Sequence, residues 1–194
     1  MLAGPVLGQS FEILATVKLG QATTTELKES LKKDSCEFSN FGDRTPATLI
    51  DQTGFSISQK TEDCILGITN PTKLGFVLKK NGVVTQSQVA DSIIGKKVVI
   101  NGKTYTVELC PAEAAPLLRI AYKNTNKKCS YDIKTPIMNP IMDSDGQMKI
   151  FRLVTGKPYR ALKACTYEYS KNLKEPFFYS DSELVFRLVP VPSL

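Results

Sequence analysis

Asn101-Gly102, set between Val98-Val99-Ile100 and Thr104-Tyr105-Thr106-Val107, constrains this chain more tightly than any other two residues. A two-residue connection between antiparallel strands takes a type I′ turn, whose central residues both need positive φ. Asn-Gly adopts that geometry at least cost. Just upstream, Thr85-Gln86-Ser87-Gln88 has the spacing of a capping box. The threonine oxygen can accept from the N–H three residues on, and the glutamine can reach back to the threonine N–H. Val84 and Val89 flank the box as a hydrophobic staple, and Gly95 follows Ile94 where a helix ends in the left-handed region. Residues 79–109 therefore predict a strand, a capped helix, a strand, a tight turn and a strand. All of these signals are architectural.

Residues 11–19 alternate well enough for an opening strand closed by Gly20. Thr23 and Glu26 form a second capping box, and Leu27 and Leu31 share the face of a short amphipathic helix over residues 24–33. Residues 36–53 read as irregular connection. Strands are expected at 54–59 and 74–78, with a turn at Asn70-Pro71 between them. Residues 111–119 hold a helical turn that Pro116 is expected to keep short. Residues 124–146 read as a long loop, interrupted by a short strand or turn. Residues 149–154 and 161–169 read as strands, and 184–189 as a final strand stopped by Pro190 and Pro192. The expected fold class is α+β, predominantly antiparallel β with two or three short helices. A single β-rich domain over residues 1–194 is the economical organisation, with a small N-terminal unit at 1–65 as the alternative.

Composition narrows the function classes. With 42% hydrophobic and 23% charged residues the chain can build a core. It has no apolar run of the roughly 18 residues that marks a membrane-spanning helix. Residues 1–8 lack the basic and apolar regions of a secretory signal, so none is expected. The five cysteines are odd in number and widely spaced, which argues against a zinc knuckle. Cys36, Cys64 and Cys110 adjoin apolar residues and read as buried thiols of a protein made in a reducing cytosol, although pairing stays open. The net charge of +6 is concentrated in the second half, where Lys123, Lys127 and Lys128 form a local basic cluster. That cluster is a candidate contact for an anionic surface, with a solvated hairpin tip as the simpler reading. Lysine far outnumbers arginine, which argues against nucleic-acid readout.

The absence of histidine removes Ser-His-Asp and Cys-His pairs and any His-ligated metal. Asp143 with Asp145, or Asp181 with Glu183, supplies carboxylates for hydrolysis on paper, yet each pair flanks a serine beside turn-forming residues and reads as a surface turn. Asp143-Ser144-Asp145-Gly146 superficially suggests a calcium loop, but Gln147, Met148 and Val154 do not fit its later positions. Neither a phosphate-binding glycine loop nor a dinucleotide fingerprint occurs. The expectation is no catalytic residue, no cofactor and no metal. The last third is aromatic, with Tyr159, Tyr167, Tyr169, Phe177, Phe178 and Tyr179. Tyr167 and Tyr169 suit one face of a strand, whereas Phe177, Phe178 and Tyr179 lie in a segment that, if exposed, would seek a partner.

Residues 74–82, followed by Ile94-Gly95-Lys96-Lys97-Val98-Val99-Ile100-Asn101-Gly102-Lys103-Thr104-Tyr105-Thr106-Val107-Glu108-Leu109, resemble a module of tailed-bacteriophage virion proteins. In it a strand ending in Lys-Lys leads to a Ser/Thr-capped helix and a Val-x-Ile-Asn-Gly-Lys-x-Tyr-x-Val-x-Leu hairpin. The closing Phe186-Arg187-Leu188-Val189-Pro190 is similar to the last strand of such modules. The match covers about a fifth of the chain, and the tryptophans usual in the phage modules are missing here. The resemblance implies a non-enzymatic virion structural protein of the tail, neck or baseplate, made in the host cytoplasm. It would contact other virion proteins or copies of itself without membrane insertion. A glycan- or receptor-binding module, with a host-surface glycan as partner, is the alternative reading. A carboxylate-based cell-wall hydrolase ranks below both. The residues expected to carry contacts are Phe177, Phe178, Tyr179, Lys123, Lys127 and Lys128, together with the opening strand.

Overall fold

The computed structural model describes residues 10–33, 49–80, 82–122, 132–142, 146, 148–155, 160–166 and 175–192. Their elements run β1 (Glu12–Leu19), α1 (Thr24–Lys33), β2 (Glu62–Thr69), β3 (Val84–Thr85), α2 (Gln86–Ile93), β4 (Lys97–Ile100) and β5 (Lys103–Glu108). They continue with α3 (Ala114–Ala121), β6 (Asp132–Pro136), β7 (Ile141–Met142), β8 (Met148–Thr155), β9 (Arg160–Thr166), β10 (Phe177–Phe178) and β11 (Glu183–Pro190). Nine strands form one curled sheet and β3 pairs β10 in a second, small one. Only β11 with β6 is parallel; the other pairings are antiparallel. Among the described residues this is a β-rich fold with three short helices.

The final strand lies at the centre. One edge of β11 pairs β2 over Leu184 to Leu188, while its other edge is shared by β6 at Glu183 to Val185 and β5 at Arg187 to Pro190. Leu184, Val185 and Phe186 are wholly buried in succession, as a strand covered on both faces requires. Where β5 and β6 part, the gap is closed by Cys110 N–H donating to Ile137 O and Ile137 N–H donating to Val185 O, at 2.8 and 2.9 Å. Outward from β11 the sheet runs through β2 to β1 on one side, and through β6 and β8 to β9 on the other.

The local signals act as expected. Asn101 has φ 49° and Gly102 φ 76°, with Ile100 opposite Lys103 across the turn. Thr85 and Gln88 complete a capping box, Val84 and Val89 are both buried, and Gly95 has φ 78°. Thr23 N–H donates to Glu26 Oε2 at 2.7 Å and Glu26 N–H to Thr23 Oγ1 at 3.2 Å, opening α1 with Leu27 and Leu31 inward.

Three expectations need correction. Residues 54–59 join no ladder although Phe55 and Ile57 turn inward; the strand is β2, whose near-continuous Cys64-Ile65-Leu66-Gly67-Ile68 run gives no alternation to read. Residues 74–78 alternate in burial yet form no assigned strand. Pro116 does not shorten α3, because it sits in the first turn, where no intrahelical N–H is required.

α3 packs on β1 and α1. Just before it Glu113, 1% exposed, spreads its carboxylate between two loops: Oε1 accepts from Ser58 N–H at 2.7 Å and Oε2 from Gly20 N–H at 3.1 Å. Gly20 has φ +66°, and a Cβ there would lie 2.5 Å from Lys60 O. The β1–α1 corner thus requires glycine both for its dihedral and for the close approach.

Candidate interaction surface

Phe177 and Phe178 form β10, opposite Thr85 and Val84 of β3. Successive strand residues face opposite ways, and the three aromatics divide accordingly. Phe178 is 1% exposed and belongs to the core, Phe177 is half-buried, and Tyr179 is 50% exposed. The Phe177 and Tyr179 rings meet edge to face at 5.9 Å and 85°. A turn follows, closed by Ser182 N–H to Tyr179 O at 3.1 Å and by Tyr179 N–H to Ser182 Oγ at 2.9 Å.

The same segment caps α2. Glu175 Oε2 accepts from Ser87 N–H at 2.9 Å and its Oε1 from the Ser87 hydroxyl at 2.7 Å, with Pro176 O accepting from Gln86 N–H at 2.8 Å. Burial pushes the Glu175 carboxyl up, but its bonds to Ser87 and to the Thr85 side chain outweigh this and hold it below the ordinary range. Gln86, itself buried, sends Nε2 to Met138 O at 2.7 Å.

Residues 70–75 tie this surface to the start of β1. Thr72 donates to Ser180 O from its N–H at 3.3 Å and from its hydroxyl at 2.9 Å. Next to it Lys73 Nζ lies 2.9 Å from Glu12 Oε1, and this partner keeps the Glu12 carboxyl low. Two regions singled out from sequence, the opening strand and the aromatic segment, therefore flank one loop. Ile13 of β1 is 44% exposed beside a register shift between Ile13 and Ala15.

The remaining candidates have other placements. Lys123, Lys127 and Lys128 lie outside the described residues, as do Asp143 and Asp145 and Tyr159, Tyr167 and Tyr169. Asp181 is exposed in the turn, and the Glu183 carboxylate is 2.6 Å from the buried Lys134 ammonium, which also sits 5.3 Å from the Tyr122 ring centre. Cys64 and Cys110 are free and buried. Burial raises the Cys64 thiol to about 11 against the opposing pull of Arg187, and holds the Cys110 thiol well above its ordinary range, so both stay protonated near neutrality. Among the described residues no group of three His, Cys, Asp or Glu side chains could hold a metal ion, and no helix is long and apolar enough to cross a membrane.

No family model, curated protein or solved structure matches this chain. The site must therefore be read from its own chemistry. Sequence reasoning missed Glu113 and Glu175, whose partners lie 55 to 93 residues away in the chain. It also missed Met142 and Met148, directly opposed across β7 and β8 and 56% and 36% exposed. A methionine on either side of Asp143-Ser144-Asp145-Gly146-Gln147, a stretch read from sequence as a turn, was the available signal for that pairing.

Proposed function

We propose that this chain is a non-enzymatic structural protein of a virion, a tail, neck or baseplate component of a tailed bacteriophage working through protein–protein contacts. The observation that carries the reading is the half-exposed Phe177–Tyr179 ring pair, joined through the Thr72–Ser180 contact to the Glu12–Lys73 ion pair. An aromatic centre with a charged, solvated rim is the composition of a protein interface. Two buried charged groups are committed to the frame, Glu113 to two loop amides and Lys134 to the Glu183 carboxylate.

The test is made on particles released from the host that encodes the chain. The protein should sediment with them and be labelled on the tail or baseplate by antibody. Tyr179→Arg should reduce incorporation while leaving the melting temperature of the isolated protein unchanged. Recovery of the chain only in the particle-free fraction would remove the assignment. The same ring pair favours a second reading, a glycan- or receptor-binding module, since exposed aromatic faces also stack on sugar rings. Tyr179-dependent retention on a glycan array would promote it over the first, and an array without a binder would dismiss it.

A further inference from the structure

Leu74, Phe76 and Leu78 pack against the core, while Gly75, Val77 and Lys79 between them face solvent. This is the period of a strand lying on a core. Val77 is 98% exposed, although valine favours strands and its neighbours on both sides are anchored. The segment is fixed at both ends. Phe76 N–H donates to Pro71 O at 3.0 Å below it, and Gly82 N–H to Lys79 O at 2.7 Å above it. Between these points, among the described residues, the backbone groups of Val77 and Leu78 carry no hydrogen bond. Side chains here have strand order and the backbone has no ladder.

We propose that residues 76–79 accept an added strand from a partner protein, and that the incoming segment is acidic around one apolar residue. Main-chain groups left open beside ordered side chains are what strand addition uses. The charge of the partner follows from the rim. Lys79 and Lys80 are exposed and, among the described residues, carry no ion pair, while Lys73 at the other end already holds Glu12. Carboxylates flanking the residue opposite Val77 complement these lysines. A second copy of the same segment brings no carboxylate to Lys79 and Lys80 and adds its own lysines to the pair, so charge favours an acidic partner over self-pairing. The inference does not depend on the virion reading, because strand addition here serves any assembly the chain joins.

The probe is a fluorescein-labelled peptide, acetyl-Glu-Thr-Val-Thr-Glu-amide, added to the full-length protein at low ionic strength. Saturable binding is expected, together with slowed hydrogen exchange at one of the two adjacent amides of Val77 and Leu78, since successive amides of an extended segment point to opposite edges. A Lys79→Glu, Lys80→Glu double variant should lose about tenfold or more in affinity, since like charges replace complementary ones. Three peptide results would each overturn the proposal: no saturable binding, equal binding of the lysine-for-glutamate peptide, or equal binding of a peptide whose alternate amides are N-methylated. The last separates a ladder from plain charge attraction. Binding of phosphatidylserine vesicles without binding of the peptide would instead make the segment a lipid contact and end the strand-addition reading.

Discussion

Phe178 and Tyr179 are neighbours in the chain with opposite surroundings, and their substitutions should differ accordingly. Phe178→Ala removes a wholly buried ring and should cost about 3–5 kcal/mol. Tyr179→Ser, at a half-exposed site, should stay within about 0.5 kcal/mol. Urea denaturation of both variants decides it, and equal losses would contradict the division. A Phe177/Phe178 double serine variant would therefore report on folding before it reported on assembly. The buried thiols give an alkaline prediction. An unfolded cysteine ionises near about 8.5, whereas Cys64 keeps its proton up to about 11 in the fold. The unfolded chain then binds fewer protons across that interval. Cys64 thus contributes fully below about 8.5, and its contribution is lost as pH rises towards about 11. Cys64→Ala should flatten the fall in stability over that window, and superimposable profiles for the two proteins would refute the effect. Burial of Cys64 and Cys110 was legible from their apolar neighbours. Glu113 was not, because a carboxylate serving Gly20 and Ser58 leaves no mark on the residues beside it.

Elements defined by bonds three residues long were the ones readable in advance. Thr85–Gln88, Thr23–Glu26 and Asn101-Gly102 each complete their geometry within one turn. The strand β2 needs its partners on both sides to be recognised, and residues 74–78 carry strand periodicity without a ladder. Pattern reports which side chains face a core, while pairing depends on what lies alongside. The N-terminus of α2 combines a local and a distant device, and they can be separated. Thr85→Ala should cost about 1 kcal/mol through the lost cap even below the Glu175 titration, and more above it, because the ionised Glu175 also bonds the Thr85 side chain. Glu175 acts through a carboxyl held low by Ser87 and Thr85. Its contribution is present above the ordinary carboxylate range, about 4.3, and disappears as pH falls through the lowered value. Acid titration of Glu175→Gln against the parent protein should show the two stabilities converging at low pH. A constant offset down to the acid transition would refute the linkage.

For the molecule as a whole, β11 sets the order of stability. It is bonded to β2, β5 and β6, and its central side chains are buried on both faces. Hydrogen exchange should therefore be slowest at the ladder amides of Leu184 to Leu188, opening only with global unfolding. The two-residue ladders β3–β10 and β7–β8 should open at lower free energy. Protection in β7 equal to that in β11 would contradict this order. The strand's place at the centre also ties assembly of the sheet to the direction of synthesis. β2, β5 and β6 all emerge from the ribosome before the strand that joins them. Until it arrives, these three strands, the apolar β2 above all, expose edges to one another and to neighbouring chains. Expression yield of this protein should accordingly be governed by how long those edges wait, and slowing translation just ahead of β11 should favour aggregation over folding.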